Sequence, residues 1–147
     1  PSFMEQCGTS DDEIRQMIGM STVFVSGPDG YYELTGETDY RKAMRTIYNK
    51  YKVEDGVICT NGKEGSVWFD GDEYFMPAYI IEPIDTTGAG DCFLGGLLYA
   101  YFQEGMEKSE ALRFANASAA IKCLNAGPRS RASVQEINEF KEHKMKL

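Results

Sequence analysis

Apolar positions along this chain recur with two different periods, and the switches between them mark the elements. Asp11–Met20 reads as a short helix with Ser10 as its N-cap. Thr22-Val23-Phe24-Val25 is a β-rich run, stopped by the turn-forming string Gly27-Pro28-Asp29-Gly30. Residues 38–51 predict a helix, because Ala43, Ile47 and Tyr51 fall at i, i+4 and i+8. Gly56-Val57-Ile58-Cys59-Thr60 is a second, buried strand, and Asn61-Gly62 opens a turn after it. Ser66-Val67-Trp68-Phe69 and Glu73-Tyr74-Phe75-Met76, joined through Asp70-Gly71, predict a hairpin. Three helices follow. The first spans 89–103, with Phe93, Leu94, Leu97, Leu98 and Tyr101 on one face. The second spans 109–124, with Ser109 as N-cap and Leu112, Ala115, Ala119 and Cys123 at helical spacing, and the third spans 134–144. Strands alternating with helices predict an α/β layer fold, whose ligands bind at the carboxyl ends of the strands.

Composition narrows the function classes. With 147 residues, 42% of them hydrophobic and 26% charged, the chain can bury a core. It has no apolar run of about 18 residues for a membrane span. The opening Pro-Ser-Phe-Met-Glu-Gln lacks the basic and apolar regions of a secretory signal. A start without Met points to a fragment or a processed chain. A net charge of −8 disfavours nucleic acid as a partner but leaves room for a small anion held by backbone dipoles. Cys7, Cys59, Cys92 and Cys123 show no C-x-x-C spacing and read as reduced thiols of a cytoplasmic protein. The single histidine, His143, lies in a polar tail, which argues against a His-dependent triad or a His-rich metal site.

The chemistry concentrates in Asp85-Thr86-Thr87-Gly88-Ala89-Gly90-Asp91, which follows an apolar stretch and opens the helix bearing Phe93-Leu94-Gly95-Gly96. Gly88, Ala89 and Gly90 present almost no side-chain bulk at a helix N-terminus, where free N–H groups and the dipole favour an anion such as a phosphoryl group. Gly95-Gly96, one turn on, would let the helix pack tightly against the sheet. Asp91 beside this cradle could accept the proton of an attacking hydroxyl. Local chemistry leaves it equally open as a partner of the helix dipole.

The string D-T-T-G-A-G-D-x-F-x-G-G-L-L over residues 85–98 resembles the C-terminal signature of the ribokinase-like (PfkB) carbohydrate and nucleoside kinases, and every constrained position is met. The resemblance implies the C-terminal portion of a three-layer α/β/α sandwich and ATP-dependent phosphotransfer with Mg2+. It implies Gly88, Ala89 and Gly90 as anion hole and Asp91 as base. Thr60-Asn61-Gly62-Lys63-Glu64-Gly65 resembles the family's nucleotide-touching turn, implying contacts from Thr60, Gly62 and Gly65; by itself the string reads as a hairpin turn. It is not a Walker P-loop, since Glu64 follows Lys63. Ala115-Asn116-Ala117-Ser118-Ala119-Ala120 resembles the helix walling the adenine pocket, with Asn116 near the base; alone it is a small-residue packing stripe. Asp85, Thr87 and the stretch from Lys122 to Ser130 resemble a monovalent-cation loop. Its implied ligands for K+ are the Asp85 carboxylate, the Ser130 hydroxyl, and carbonyls near Thr87, Lys122, Asn125 and Gly127. The implied acceptor is a small sugar or nucleoside, and the implied assembly a homodimer formed through the lid.

Two features depart from the family. Leu34-Thr35-Gly36 is present, but the Asn and Glu that precede it in relatives fall on Gly27 and Gly30; Asp29 and Glu33 are the carboxylates left nearby. The resemblance also covers only a C-terminal half, so residues 1–147 read as one partial domain without the acceptor half or the lid, and such a chain is expected to be inactive alone. Two other readings stay open: a non-catalytic nucleotide-binding or interaction module of the same fold, and a vitamin-type kinase acting on pyridoxal or hydroxymethylpyrimidine.

Overall fold

The computed structural model describes Gly8 and residues 10–145, so Cys7 lies outside the described residues. They fall into two units. The first runs through Thr60 and takes in Trp68–Glu73; the second comprises Asn61–Val67 and the chain from Tyr74 onward. The strands hydrogen-bond in the order β1-β2-β3-β4, for β1 Phe24–Ser26, β2 Val57–Thr60, β3 Gly65–Phe69 and β4 Glu73–Pro77.

In the first unit, helix α1 (Asp11–Met20) starts on a capping box, Ser10 accepting from Glu13 N–H while the Glu13 carboxylate accepts from Ser10 N–H. β1 and β2 pair in parallel, Phe24 opposite Val57 and Ser26 opposite Cys59. A crossover of two helices joins them, α2 (Pro28–Thr35) and α3 (Tyr40–Tyr51). The sequence reading made residues 27–30 a turn, yet α2 begins there. Pro28 occupies the first helical position, where its missing N–H costs nothing, and Gly36 ends the helix in the left-handed region at φ 73°. α3 is capped by Asp39, which accepts from the N–H groups of Arg41 and Lys42. Its Ala43, Met44 and Ile47 are buried. Tyr31 is fully buried, donates to Ile58 O at 2.9 Å and meets Phe24 edge-on at 5.6 Å. Trp68 is also fully buried and donates to Asp55 O at 2.7 Å. Buried tyrosine and tryptophan need such partners, because an unmade hydrogen bond costs about 1–3 kcal/mol.

The second unit is built on three helical segments. α4 (Ala89–Leu97) runs into a π-helical stretch, Leu98–Gln103, so the predicted helix 89–103 is continuous but changes winding at Leu98. α5 spans Lys108–Cys123. Its cap is Glu107 rather than the expected Ser109, because the first helical bond runs from Ala111 N–H to Glu107 O. α6 (Val134–Phe140) starts on a second capping box, Ser133 with Glu136, and stops four residues before the expected end. His143 stacks on Phe140 with ring centroids 4.3 Å apart.

The small stripe of α5 faces α4. A Cβ on Gly96 would come 3.0 Å from Ser118 Cβ and 3.2 Å from Ala115 Cα. Gly96 therefore serves helix-on-helix packing, not the helix-on-sheet packing expected of the Gly95-Gly96 pair, and Gly95 faces open space. Ser118 completes the contact by donating to Cys92 O at 3.0 Å.

Candidate active site

Two hydrogen bonds fix the chain just ahead of the signature: Ile84 and Asp85 N–H both donate to Cys123 O, at 2.7 and 3.2 Å. Asp85 then shapes the turn. Its Oδ1 accepts from Thr87 N–H at 2.9 Å and its Oδ2 from Gly127 N–H at 2.8 Å. These bonds, Thr87's first, hold its carboxyl at about 2, well below the usual carboxylate range, with Lys122 adding a smaller push. Gly88 follows as the N-cap of α4 at φ 79°, and only glycine fits, since a Cβ would lie 2.1 Å from Pro128 O.

Past Gly88 the backbone is open. Ala89 N–H bonds Thr86 O and Cys92 N–H bonds Gly88 O, but the N–H groups of Gly88, Gly90 and Asp91 have no hydrogen-bond partner among the described residues. Nothing lies within 4 Å of where a Gly90 Cβ would sit. Asp91, third residue of the helix, is exposed, and its carboxylate bonds nothing among the described residues. Gly88, Gly90 and Asp91 thus combine unpaired donors, room for an anion and a free carboxylate at one helix start, while Ala89, expected in the anion hole, has its N–H taken by Thr86 O.

The loop after α5 differs from the cation cage expected of it. Lys122 is fully buried, and its Nζ donates to Asp85 O at 2.8 Å and Asn125 O at 3.2 Å, 4.0 Å from Asp85 Oδ2. The expectation used only the Lys122 carbonyl. The ammonium itself takes Asn125 O, one of the carbonyls assigned to the ion, and stands 4.0 Å from the assigned Asp85 carboxylate. Ser130 Oγ, another assigned ligand, accepts from Ala132 N–H at 3.2 Å. A potassium ion does not fit these residues as they stand. Two unit charges 4 Å apart repel by about 4 kcal/mol at an effective dielectric of 20. The ammonium is the functional feature that sequence reasoning missed. The signal was available: Lys122 falls four residues after Ser118 and seven after Ala115, on the buried face of α5.

Each residue expected to contact a nucleotide has a defined place. Gly62 is exposed at φ 48° with open space around it. Gly65, at φ 114°, is needed for a different approach, because its Cβ would lie 2.1 Å from Met76 O. It starts β3 at the open end of the hairpin, beside the end of β4. Asn116 is buried. Its amide donates to Met76 O and Pro77 O at 3.1 and 3.2 Å, while its Oδ1 accepts from Ser66 at 2.9 Å. Both amide hydrogens are used inside the protein, so Asn116 offers a ligand a wall rather than a donor.

In the first unit, Thr60 ends β2 and is half-buried, its carbonyl 3.8 Å from where a Gly27 Cβ would sit. A side chain at Gly30 would meet Ser26 Oγ at 2.2 Å. Asp29 and Glu33 lie one turn apart on α2, both exposed. Among the described residues no group of three or more His, Cys, Asp or Glu is arranged to hold a metal ion.

The sequence model described as pfkB family carbohydrate kinase matches residues 2–135. Deoxyribokinase of Salmonella typhi is 32% identical over 102 residues, covering 68% of this chain and 32% of that protein. Ribokinase of Haemophilus influenzae is 34% identical over 112 residues, covering 76% of this chain and 36% of that protein. An Escherichia coli protein provisionally designated ribokinase II, solved in complex with ATP and Mg2+, superposes with a TM-score of 0.76 at 25% identity, over 88% of this chain and 42% of that one. The mixed α/β fold is therefore ribokinase-like, and the chain spans about a third of the length of these curated relatives.

Proposed function

The chain belongs to the pfkB family of carbohydrate kinases, and from that premise we propose that it forms the phosphoryl-transfer side of an ATP-dependent kinase acting on a hydroxyl of a sugar or nucleoside. The observation that carries the reading is the open helix start, with unpaired N–H groups at Gly88, Gly90 and Asp91 beside a free Asp91 carboxylate. The acceptor hydroxyl attacks the γ-phosphorus of ATP, the bond to the β-phosphate oxygen breaks, and ADP leaves. Asp91 takes the hydroxyl proton. The N–H donors face the oxygens of the transferring group, where charge stabilisation counts most. ATP and Mg2+ in the E. coli relative support the nucleotide assignment. Magnesium neutralises phosphate charge when bound. It takes one or two carboxylates and otherwise phosphate and water oxygens, so it needs no protein cage. Asp29 and Glu33 are the carboxylates α2 offers near the two glycines.

Those glycines, at positions where the family carries Asn and Glu, favour one alternative, a nucleotide-binding module without turnover. Calorimetric titration of the chain with ADP and a non-hydrolysable ATP analogue in magnesium tests the shared premise. Binding should occur, and Gly90→Val should weaken it by about tenfold, roughly 1.4 kcal/mol. Absence of binding refutes both readings. A radiolabelled transfer assay with adenosine, ribose and fructose should show no product from this chain alone, because positioning the acceptor supplies about 7–11 kcal/mol of the barrier reduction. Transfer by the chain alone would refute the division of labour. The same assay on the chain joined to the acceptor half of a relative separates kinase from module.

A further inference from the structure

A family resemblance assigns a monovalent cation to the loop around Asp85, yet a side chain of this protein already bonds one of its assigned carbonyls, Asn125 O, and lies 4.0 Å from the assigned Asp85 carboxylate. Lys122 reaches from the last turn of α5, fully buried, and brings its ammonium to Asp85 O at 2.8 Å and Asn125 O at 3.2 Å. The Asp85 carboxylate stands 4.0 Å away, held in place by Thr87 N–H and Gly127 N–H. We propose that Lys122 is a tethered replacement for a monovalent cation, and that this protein neither binds nor needs potassium at the Asp85 loop.

The argument rests on charge, size and connectivity. An ammonium group and a potassium ion carry the same single charge at similar size, and both seek several oxygens. A cation buried without such partners is costly, so a fully buried lysine marks a site built to receive one. Asp85 makes the site consequential. Its backbone carbonyl takes the ammonium, and its carboxylate sets the turn that leads through Thr87 to the left-handed Gly88 and the start of α4. A charge at this point therefore braces the turn that presents the open N–H groups. A lysine provides it at all salt compositions, whereas a free ion provides it only when bound.

The proposal does not rest on the phosphotransfer reading, and its test is a stability readout that stands whether or not transfer is found. Thermal unfolding of the chain, followed by circular dichroism, is compared in KCl, NH4Cl and choline chloride at equal ionic strength. The wild-type midpoint should be the same in all three. Lys122→Ala opens the ammonium's place, and its midpoint should be lower in choline chloride. Potassium or ammonium at ten times its Kd should raise it by about 3–6 °C. If Lys122→Ala does not fold in choline chloride, recovery of its helical signal in KCl or NH4Cl is the same supporting result. Three results overturn the proposal: a wild-type midpoint that rises specifically with potassium, a folded Lys122→Ala indifferent to both ions, and a Lys122→Ala chain that folds in none of the salts. Soaking wild-type crystals in Tl+ gives an independent reading, since an anomalous peak among Asp85, Asn125 and Gly127 would also overturn it.

Discussion

Gly88→Ala should damage the protein far more than Gly90→Ala, although the two glycines stand two residues apart in one motif. Gly88 holds φ 79° and ψ 5°, a conformation that costs an alanine about 1–2 kcal/mol. The added methyl would also lie 2.1 Å from Pro128 O, 2.9 Å from Pro128 C and 3.1 Å from Pro128 Cα. All three are backbone atoms, so relief requires the loop to move, an overpacking cost of about 1–3 kcal/mol. Together these give roughly 2–5 kcal/mol, a large part of the roughly 5–15 kcal/mol typical of a folded domain. At about 2–4 °C per kcal/mol for a chain of this size, the melting midpoint should fall by about 4–20 °C. Gly90 has no neighbour within 4 Å of a built Cβ and no positive φ. Alanine there removes a helix penalty of up to about 1 kcal/mol, so its midpoint should hold or rise. Circular dichroism melts of the two variants and the wild type make the comparison. A Gly88→Ala midpoint within about 2 °C of wild type would refute the packing argument.

The exposed, unpartnered Asp91 should tolerate Asn with a stability change within about 0.5 kcal/mol, while kcat of the chain joined to an acceptor half falls by roughly 10²–10⁴; undiminished turnover would remove Asp91 as base. Asp85, with its carboxyl lowered to about 2, adds stability that is fully present above its unfolded value of 3.8 and is lost as pH falls through about 2. The stability gap between wild type and Asp85→Asn should therefore be constant above about pH 5 and shrink from pH 4 to 2; urea unfolding at a series of pH values measures it, and a gap independent of pH would contradict the carboxylate's role. Burial in β2 pushes the Cys59 thiol up to about 12, so iodoacetamide at pH 8 should leave it unmodified in the folded chain while half-buried Cys92 reacts sooner; early labelling of Cys59 by peptide mass mapping would mean that β2 opens.

How far the sequence could be read depended on how local the determinants were. The N-cap at Ser10, the periodicity of α3 and the helix start at Ala89 each carry their information within a few residues, and each agrees with the structure. Helix α2 escaped because Gly-Pro-Asp-Gly fits a turn as well as a Pro-led helix start, and only packing decides, here Tyr31 buried against Phe24 and Ile58. Ser109 was expected as a cap because serine is a good one, yet the first helical bond forms two residues earlier, on Glu107. In the candidate site, the open cradle at 88–91 follows from glycine and helix position alone. What sequence pattern could not supply was the use of atoms across long separations. Gly65 is a glycine because Met76 O approaches it, and the Asn116 amide is consumed by the hairpin carbonyls. Lys122 delivers an ammonium, rather than a carbonyl, to a residue 37 positions away.

The contact between Gly96 and Ser118 also constrains how this protein can drift over generations. With a Cβ on Gly96 only 3.0 Å from Ser118 Cβ and 3.2 Å from Ala115 Cα, an alanine at 96 requires α5 to give by a few tenths of an ångström. Removing Ser118 in turn loses its hydrogen bond to the Cys92 carbonyl, which keeps its partner within the helix. The two positions are therefore coupled across the contact of α4 with α5. Descendants should carry glycine and serine together more often than independent substitution would give. Deep mutational scanning at positions 96 and 118, scored singly and in pairs, would show this as a fitness ridge that no single-site table contains.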